Sequence, residues 1–221
     1  MQMPMAQTNG DSGWRGSPDL WLNAALELLL ESGVDAVKIL PLAQRLNLSR
    51  TSFYWFFKDH QQLLDALVAR WREKNTGNLV KQANAYAETL PEAVLNLFDL
   101  WFDNEVFDSR FEFAVRSWAL QSPAILAEVQ EADRIRLAAI RDLFRRFGED
   151  EMAADVRART VYLVQIGYIS MQSREDLDLR MMRIPHYVEI FSGKRPEKRE
   201  LDRFFARRGA TIDFQTRLGM I

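Results

Sequence analysis

The chain has 221 residues, 48% of them apolar, and a formal net charge of −2; that supplies a core but excludes a polycation that would hold polyanions by its global field. It contains no cysteine, which excludes disulfides, thiolate zinc sites and cysteine nucleophiles and is compatible with a reducing cytoplasm. Its two histidines, His60 and His186, lie far apart with no Glu-x-x-His pair for a di-iron site, and no apolar run approaches the roughly 18 residues of a membrane span.

Residues 1–16 read as a disordered tail, with Arg15 its only basic residue and nothing of a signal peptide. Beyond it every segment reads as helix, and no alternating strand pattern occurs. Ser17-Pro18 is an N-cap followed by a first-turn proline. Leu20, Trp21, Ala24, Ala25, Leu28 and Leu29 then recur at helical spacing until Gly33. Two short helices are expected at 39–46 and 50–56, the second capped by Ser49. Only Asn47 and Leu48 separate them, and asparagine tolerates the left-handed backbone so tight a turn needs.

A longer helix begins at Asp59, carries Leu63, Leu64, Leu67, Val68 and Trp71, and runs to about residue 85. Pro91 opens the next, with Val94, Leu97, Phe98, Trp101, Phe102 and Val106 on one face. Ser122-Pro123 starts another, striped by Ile125, Leu126, Val129, Ile140, Leu143, Phe144 and Phe147 and ended by Gly148. An apolar helix over 151–173 follows, then short ones near 175–192 and 197–207, with a Ser-Gly-Lys turn at 192–194. There is no internal repeat. The expected division is a reading domain over 17–60 and a larger helical domain over 61–221.

Two short helices across so small a turn cross at a large angle, the helix-turn-helix arrangement, whose second helix enters the major groove. Leu42, Ala43, Leu46, Leu48 and Phe53 supply its buried side. From Lys38 to Lys58 the basic residues are Lys38, Arg45, Arg50 and Lys58 and there is no acid, a local +4 in a chain of −2. Arg50, Thr51 and Ser52 occupy the first turn of the second helix, where arginine reads guanine and a threonine methyl meets thymine. Tyr54, Trp55 and Lys58 lie one turn later, suited to phosphate. The plainer alternative is an ordinary helical hairpin with a solvated basic edge.

The run Ser49-Arg50-Thr51-Ser52-Phe53-Tyr54-Trp55-Phe56-Phe57-Lys58-Asp59, with Leu42-Ala43 before it and Leu63-Leu64 after it, resembles the DNA-binding domain of the TetR family of transcriptional regulators over about residues 18–68. The resemblance implies an all-α homodimer, with an N-terminal three-helix helix-turn-helix DNA-binding domain and a larger C-terminal helical domain for ligand and dimerisation. Its DNA-contacting set would be Lys38, Arg45, Ser49, Arg50, Thr51, Ser52, Tyr54, Trp55 and Lys58. The chain departs from the family at Lys38, where a capping Thr or Ser is common, at Leu40, usually polar, and at Phe56, in place of a frequent His. Pro41, in the first turn, is tolerable. Phe111 to Trp118, Ser122-Pro123, the stretch over 192–197 and Arg203-Phe204 carry a weaker similarity to one TetR subgroup.

In the second domain Trp101, Phe102, Phe113 and Tyr162 are expected to line a ligand pocket, with Arg116 and Gln165 orienting an anionic ligand. The alternative is a plain aromatic core in which Arg116 pairs with Glu112 or Glu105. The segment from Val161 to Met171 is apolar nearly all round and must be covered on both sides. Val164, Gly167, Tyr168 and Met171 are therefore expected at a dimer interface, the alternative being full burial of the helix within one subunit.

The expected function is a cytoplasmic, ligand-responsive repressor that binds a palindromic double-stranded DNA operator as a homodimer and responds to a small-molecule effector. No enzyme activity, cofactor, metal or membrane partner is expected, since Gly-x-Gly-x-x-Gly and P-loop cradles are missing and no carboxylate pair stands out. The rivals are a helical enzyme or ligand carrier that retains the hairpin, and a protein-interaction module.

Overall fold

Helix starts in this chain are fixed by side chains that stand in for missing backbone acceptors. Ser17, Ser49, Thr89, Asp108, Ser122, Asp150 and Asp176 each accept a hydrogen bond from the amide three residues on. The computed structural model describes residues 16–208, so the expected tail, Gly16 apart, lies outside the described residues. The helices are α1 (Pro18–Ser32), α2 (Ile39–Leu46), α3 (Arg50–Phe53), α4 (His60–Trp71), α5 (Asn78–Ala83), α6 (Leu90–Trp101), α7 (Ser109–Ala119), α8 (Pro123–Arg146), α9 (Glu151–Ser170), α10 (Leu177–Ser192) and α11 (Lys198–Ala206). A 3-10 turn spans Val34–Ala36 and a π-helical turn Arg72–Gly77. The fold is all-α, and no described helix is long and apolar enough to cross a membrane.

The chain forms two compact units that meet in sequence between Leu67 and Val68. The two units divide after Leu67, inside α4, rather than after residue 60 as expected, and the buried Leu63, Leu64 and Leu67 lie with the first unit.

In the first unit α1 packs on α2 and α2 on α3. Trp21 meets Phe53 edge-on at 5.4 Å and Phe53 stacks on Phe57 at 5.4 Å. Full burial of an aromatic of this size contributes about 3 kcal/mol, so Phe53 anchors α3 more firmly than its few backbone bonds do. Asn47 takes the left-handed conformation, φ 51° and ψ 44°, and gives the two-residue turn its reversal. Lys38 stands at the start of α2 without a capping bond, as its chemistry requires.

The structure shortens the expected 50–56 helix to Arg50–Phe53, with Tyr54, Trp55 and Phe56 continuing as a turn. Five aromatics in succession, Phe53 to Phe57, lose side-chain freedom in a regular helix.

The second unit is built on one core to which Leu97, Ile140, Phe144, Val161, Ile184 and Phe204 belong. α8 packs on α7 and α9, and α10 on α6 and α9. Here too the sequence is corrected in places. The helix expected to run unbroken to 85 is interrupted at Arg72–Gly77 and ends at Ala83. α6 begins at Leu90 and stops at Trp101, which leaves Phe102 and Val106 beyond it. α7 was not anticipated as an element, and α9 ends at Ser170 rather than 173. On α8, Leu126 is 44% exposed, while Ala132 and Arg136 complete the buried face.

Candidate nucleic-acid interface

The α2–α3 pair presents part of the basic window outward and consumes the rest. Lys38, Arg50, Thr51, Tyr54, Trp55 and Lys58 are exposed, Trp55 at 62%. Among the described residues Lys38, Arg50 and Lys58 form no ion pair, so three cations remain available to phosphate or base edges.

Arg45 is different. Its guanidinium bonds Glu31 at 2.6 Å and Glu27 at 3.4 Å on α1. The hydrogen bond it donates to Glu31, with the field of both carboxylates, raises its pKa above the ordinary arginine value. The +4 of the window is therefore reduced by acids outside it.

Ser49 and Ser52 face each other, with their hydroxyls 3.0 Å apart, and the Ser49 oxygen accepts the Ser52 amide at 3.2 Å. Ser52 is buried, so it holds the start of α3 and is withdrawn from the surface where base reading was expected. At the other end of the turn, the His60 ring bonds the Val37 carbonyl at 2.5 Å and ties the start of α4 to the loop before α2.

The expected ligand residues separate in the second unit into a polar cluster, a cleft and Phe113, which packs against the core. Arg116 and Tyr162 join a buried polar cluster centred on Glu112. Arg116 Nε donates to Glu112 at 2.9 Å, and its terminal nitrogens reach Asp133 and the Tyr162 hydroxyl. Arg136, wholly buried, donates to Glu112 at 2.7 Å and 3.1 Å, to Tyr162 at 3.1 Å and to Thr76 at 2.9 Å. Trp71 and Asn75 donate to Glu112 at 2.7 Å and 2.9 Å. Burial alone raises the Glu112 carboxyl, but Arg136, then Arg116 and Asn75, outweigh it and hold the group below the ordinary carboxylate value. Burial pushes the Tyr162 hydroxyl up, so it stays protonated as a donor to Asp133 at 2.5 Å. The π-helical turn supplies Asn75 and Thr76 to this cluster.

Arg116 thus follows the aromatic-core alternative, paired with Glu112, and its donors are used within the protein. Arg136 was missed, although its place on the stripe Ile125, Val129, Ala132, Arg136, Ile140, Leu143 marked it as buried.

Trp101, Phe102 and Gln165 do come together, lining a cleft among α6, α9 and α10 with Phe98, Arg180 and Tyr187. Phe113, Arg116 and Tyr162 do not line it. It encloses about 30 Å³, room for one or two waters. Val164 and Tyr168, expected at the dimer interface, also line this cleft. The hydrogen bond with Tyr187, together with burial, leaves the Tyr168 hydroxyl pushed up to about 12. Val164 is 37% exposed at the edge of this cleft, and Met171, just after α9, is 79% exposed. A Cβ built on Gly167 would meet nothing within 4 Å.

The family model described as bacterial regulatory proteins, tetR family, matches residues 22–67. The tetracycline repressor protein class A from transposon 1721 of Escherichia coli is 37% identical over 67 residues, 30% of this chain and 31% of that protein. The class G tetracycline repressor protein of Vibrio anguillarum is 38% identical over 74 residues, 33% of this chain and 35% of that protein. The match therefore spans about a third of each relative's length. Among solved structures, a protein from Streptomyces coelicolor A3(2) aligns with a TM-score of 0.56 at 18% identity, over 80% of this chain and 98% of that one. A transcriptional regulator from Rhodococcus sp. Rha1 aligns at 0.51 and 16%, over 89% of this chain and 99% of that one. At those identities the likeness is one of fold.

Proposed function

We propose that this chain, whose residues 22–67 match the family model of bacterial regulatory proteins, tetR family, is a transcriptional regulator of that family that binds a palindromic operator as a homodimer and represses until an effector binds its second unit. The observation that carries this reading is the Ser49-capped start of α3. There Arg50 and Thr51 are exposed just after a left-handed Asn47 turn, the part of a helix-turn-helix that reads base edges. Tyr54 and Lys58 beyond it suit phosphates, which set register.

A homodimer would hold two such helices about 34–36 Å apart, one DNA turn. The outer face of α9 supports this assembly, because Met152, Val156, Leu163, Val164 and Met171 are exposed apolar side chains on or just after one helix. An effector acts here only through different affinities for the DNA-binding and non-binding states. An enzyme reading has no support from the chain's family.

The test is selection of bound fragments from the source genome, followed by binding at graded salt. Affinity should fall steeply as salt rises. Arg50→Ala should relax preference among sequences, whereas Lys58→Ala should weaken all sequences alike. Binding that ignores salt would instead favour a protein partner docked on Tyr54 and Trp55, the second reading, which their exposure of 53% and 62% supports.

A further inference from the structure

The cleft among α6, α9 and α10 has an aromatic floor and a basic rim. Phe98 and Phe191 lie nearly parallel, 13° apart with centroids at 6.2 Å, and Tyr187 stacks on Phe191 at 5.6 Å. Arg180 and Arg183 stand at the rim. Among the described residues Arg180 forms no ion pair. Its guanidinium lies over Phe102 at 4.8 Å and over Tyr168 at 5.6 Å, an arrangement that keeps its hydrogen-bond donors unspent at the edge of an apolar slot. Arg183 donates to Glu175 Oε1 at 2.5 Å. The second oxygen of that carboxylate, Glu175 Oε2, is buried with no hydrogen-bond partner. Arg183 is therefore held by a carboxylate that is only half satisfied while Arg180 forms no ion pair among the described residues, and that carboxylate sits on the short connection between α9 and α10 rather than on either helix.

We propose that this cleft binds an organic carboxylate with an apolar body, and that Glu175 holds the anion's place until the ligand displaces it. A ligand carboxylate can take both oxygens to Arg180 and Arg183 as paired, charge-assisted hydrogen bonds, which the single bond from Arg183 to Glu175 does not achieve. The apolar body lies against Phe98, Trp101 and Tyr187, and Gln165 offers an amide beside it. The cleft encloses only about 30 Å³, far below the several hundred Å³ usual for such ligands, so the side chains that line it must move apart as the ligand enters. The proposal names the effector class of the regulator proposed above and rests on that reading only for its consequence at DNA.

The experiment is isothermal titration of the full-length protein, without DNA, with 2-naphthoate, with dodecanoate and with the neutral amide of each. At least one acid should bind saturably, with its amide weaker by roughly tenfold, the worth of about one charge-assisted contact. Arg180→Ala should abolish that preference. Glu175→Ala should tighten the acid severalfold, a gain that misfolding cannot produce. Equal affinity for acid and amide, an unchanged acid affinity in Arg180→Ala, a weaker acid in Glu175→Ala, or no binding of either acid would each overturn the proposal. Because the titrations contain no DNA, their failure leaves the operator reading standing, and a chain indifferent to DNA leaves them unaffected.

Discussion

Arg136 keeps a full charge at zero exposure because every direction its guanidinium points is occupied, by Thr76, Glu112 and Tyr162. Removing Glu112 leaves that charge buried without its main counter-ion, a change that costs about 3–5 kcal/mol. Glu112→Ala is expected to lower the second unit's stability by that amount in urea unfolding. The carboxyl's folded pKa lies below its ordinary 4.5, so the stability it contributes is present above that value and is lost as pH falls through the folded pKa. Thermal melts should therefore drop below about pH 4.5 in the native chain and drop less in Glu112→Gln, which has no carboxyl to protonate. The charge pairs were legible at this scale only where they are local. Glu112 and Arg116 are one helical turn apart, whereas Arg45 finds Glu27 and Glu31 on another helix, 18 and 14 residues away, so a count confined to its own window overstates the free charge.

α3 is four residues long, a single turn. Helix nucleation is unfavourable at that length, so the turn depends on Ser49 at its start and on the burial of Phe53 within it. Ser49→Ala is expected to cost about 1 kcal/mol of first-unit stability and to weaken DNA binding by up to about fivefold, the equivalent of the same energy. Chemical unfolding and fragment binding measure the two. The caps at Ser17, Ser49 and Ser122 and the turn at Asn47 were legible because each acts on residues within three or four positions. The π-helical turn was not. Asn75 and Thr76 are drawn to Glu112 and Arg136, 37 and 60 residues further along, and no local pattern in the sequence carries that demand.

For the whole molecule, the all-α architecture and its two parts follow from helical spacing and turn residues, but the division after Leu67 does not, since α4 runs through it without a break. The candidate DNA surface was legible because its residues lie in one short window. The cleft was legible only in part, because its rim at Arg180 and Arg183 comes from a helix that showed no sign of facing Trp101. Assembly belongs to this scale. Val164→Glu places a charge on a partly exposed position of α9 and, if the proposed homodimer forms there, is expected to give a monomer by sedimentation that no longer binds operator fragments, because the proposed reading helices act as a pair. An intact dimer would move the interface elsewhere.

Trp21 has its indole N–H buried without an acceptor beside Phe53, while Trp55, in the same unit, is 62% exposed. In variants that keep only these two of the chain's six tryptophans, a dry and a wet fluorophore give this unit its own optical gauge. The emission of Trp21 lies to the blue and shifts red when the core around α3 opens, whereas that of Trp55 lies to the red, yields to aqueous quenchers, and is shielded from them when a duplex covers the turn that carries it.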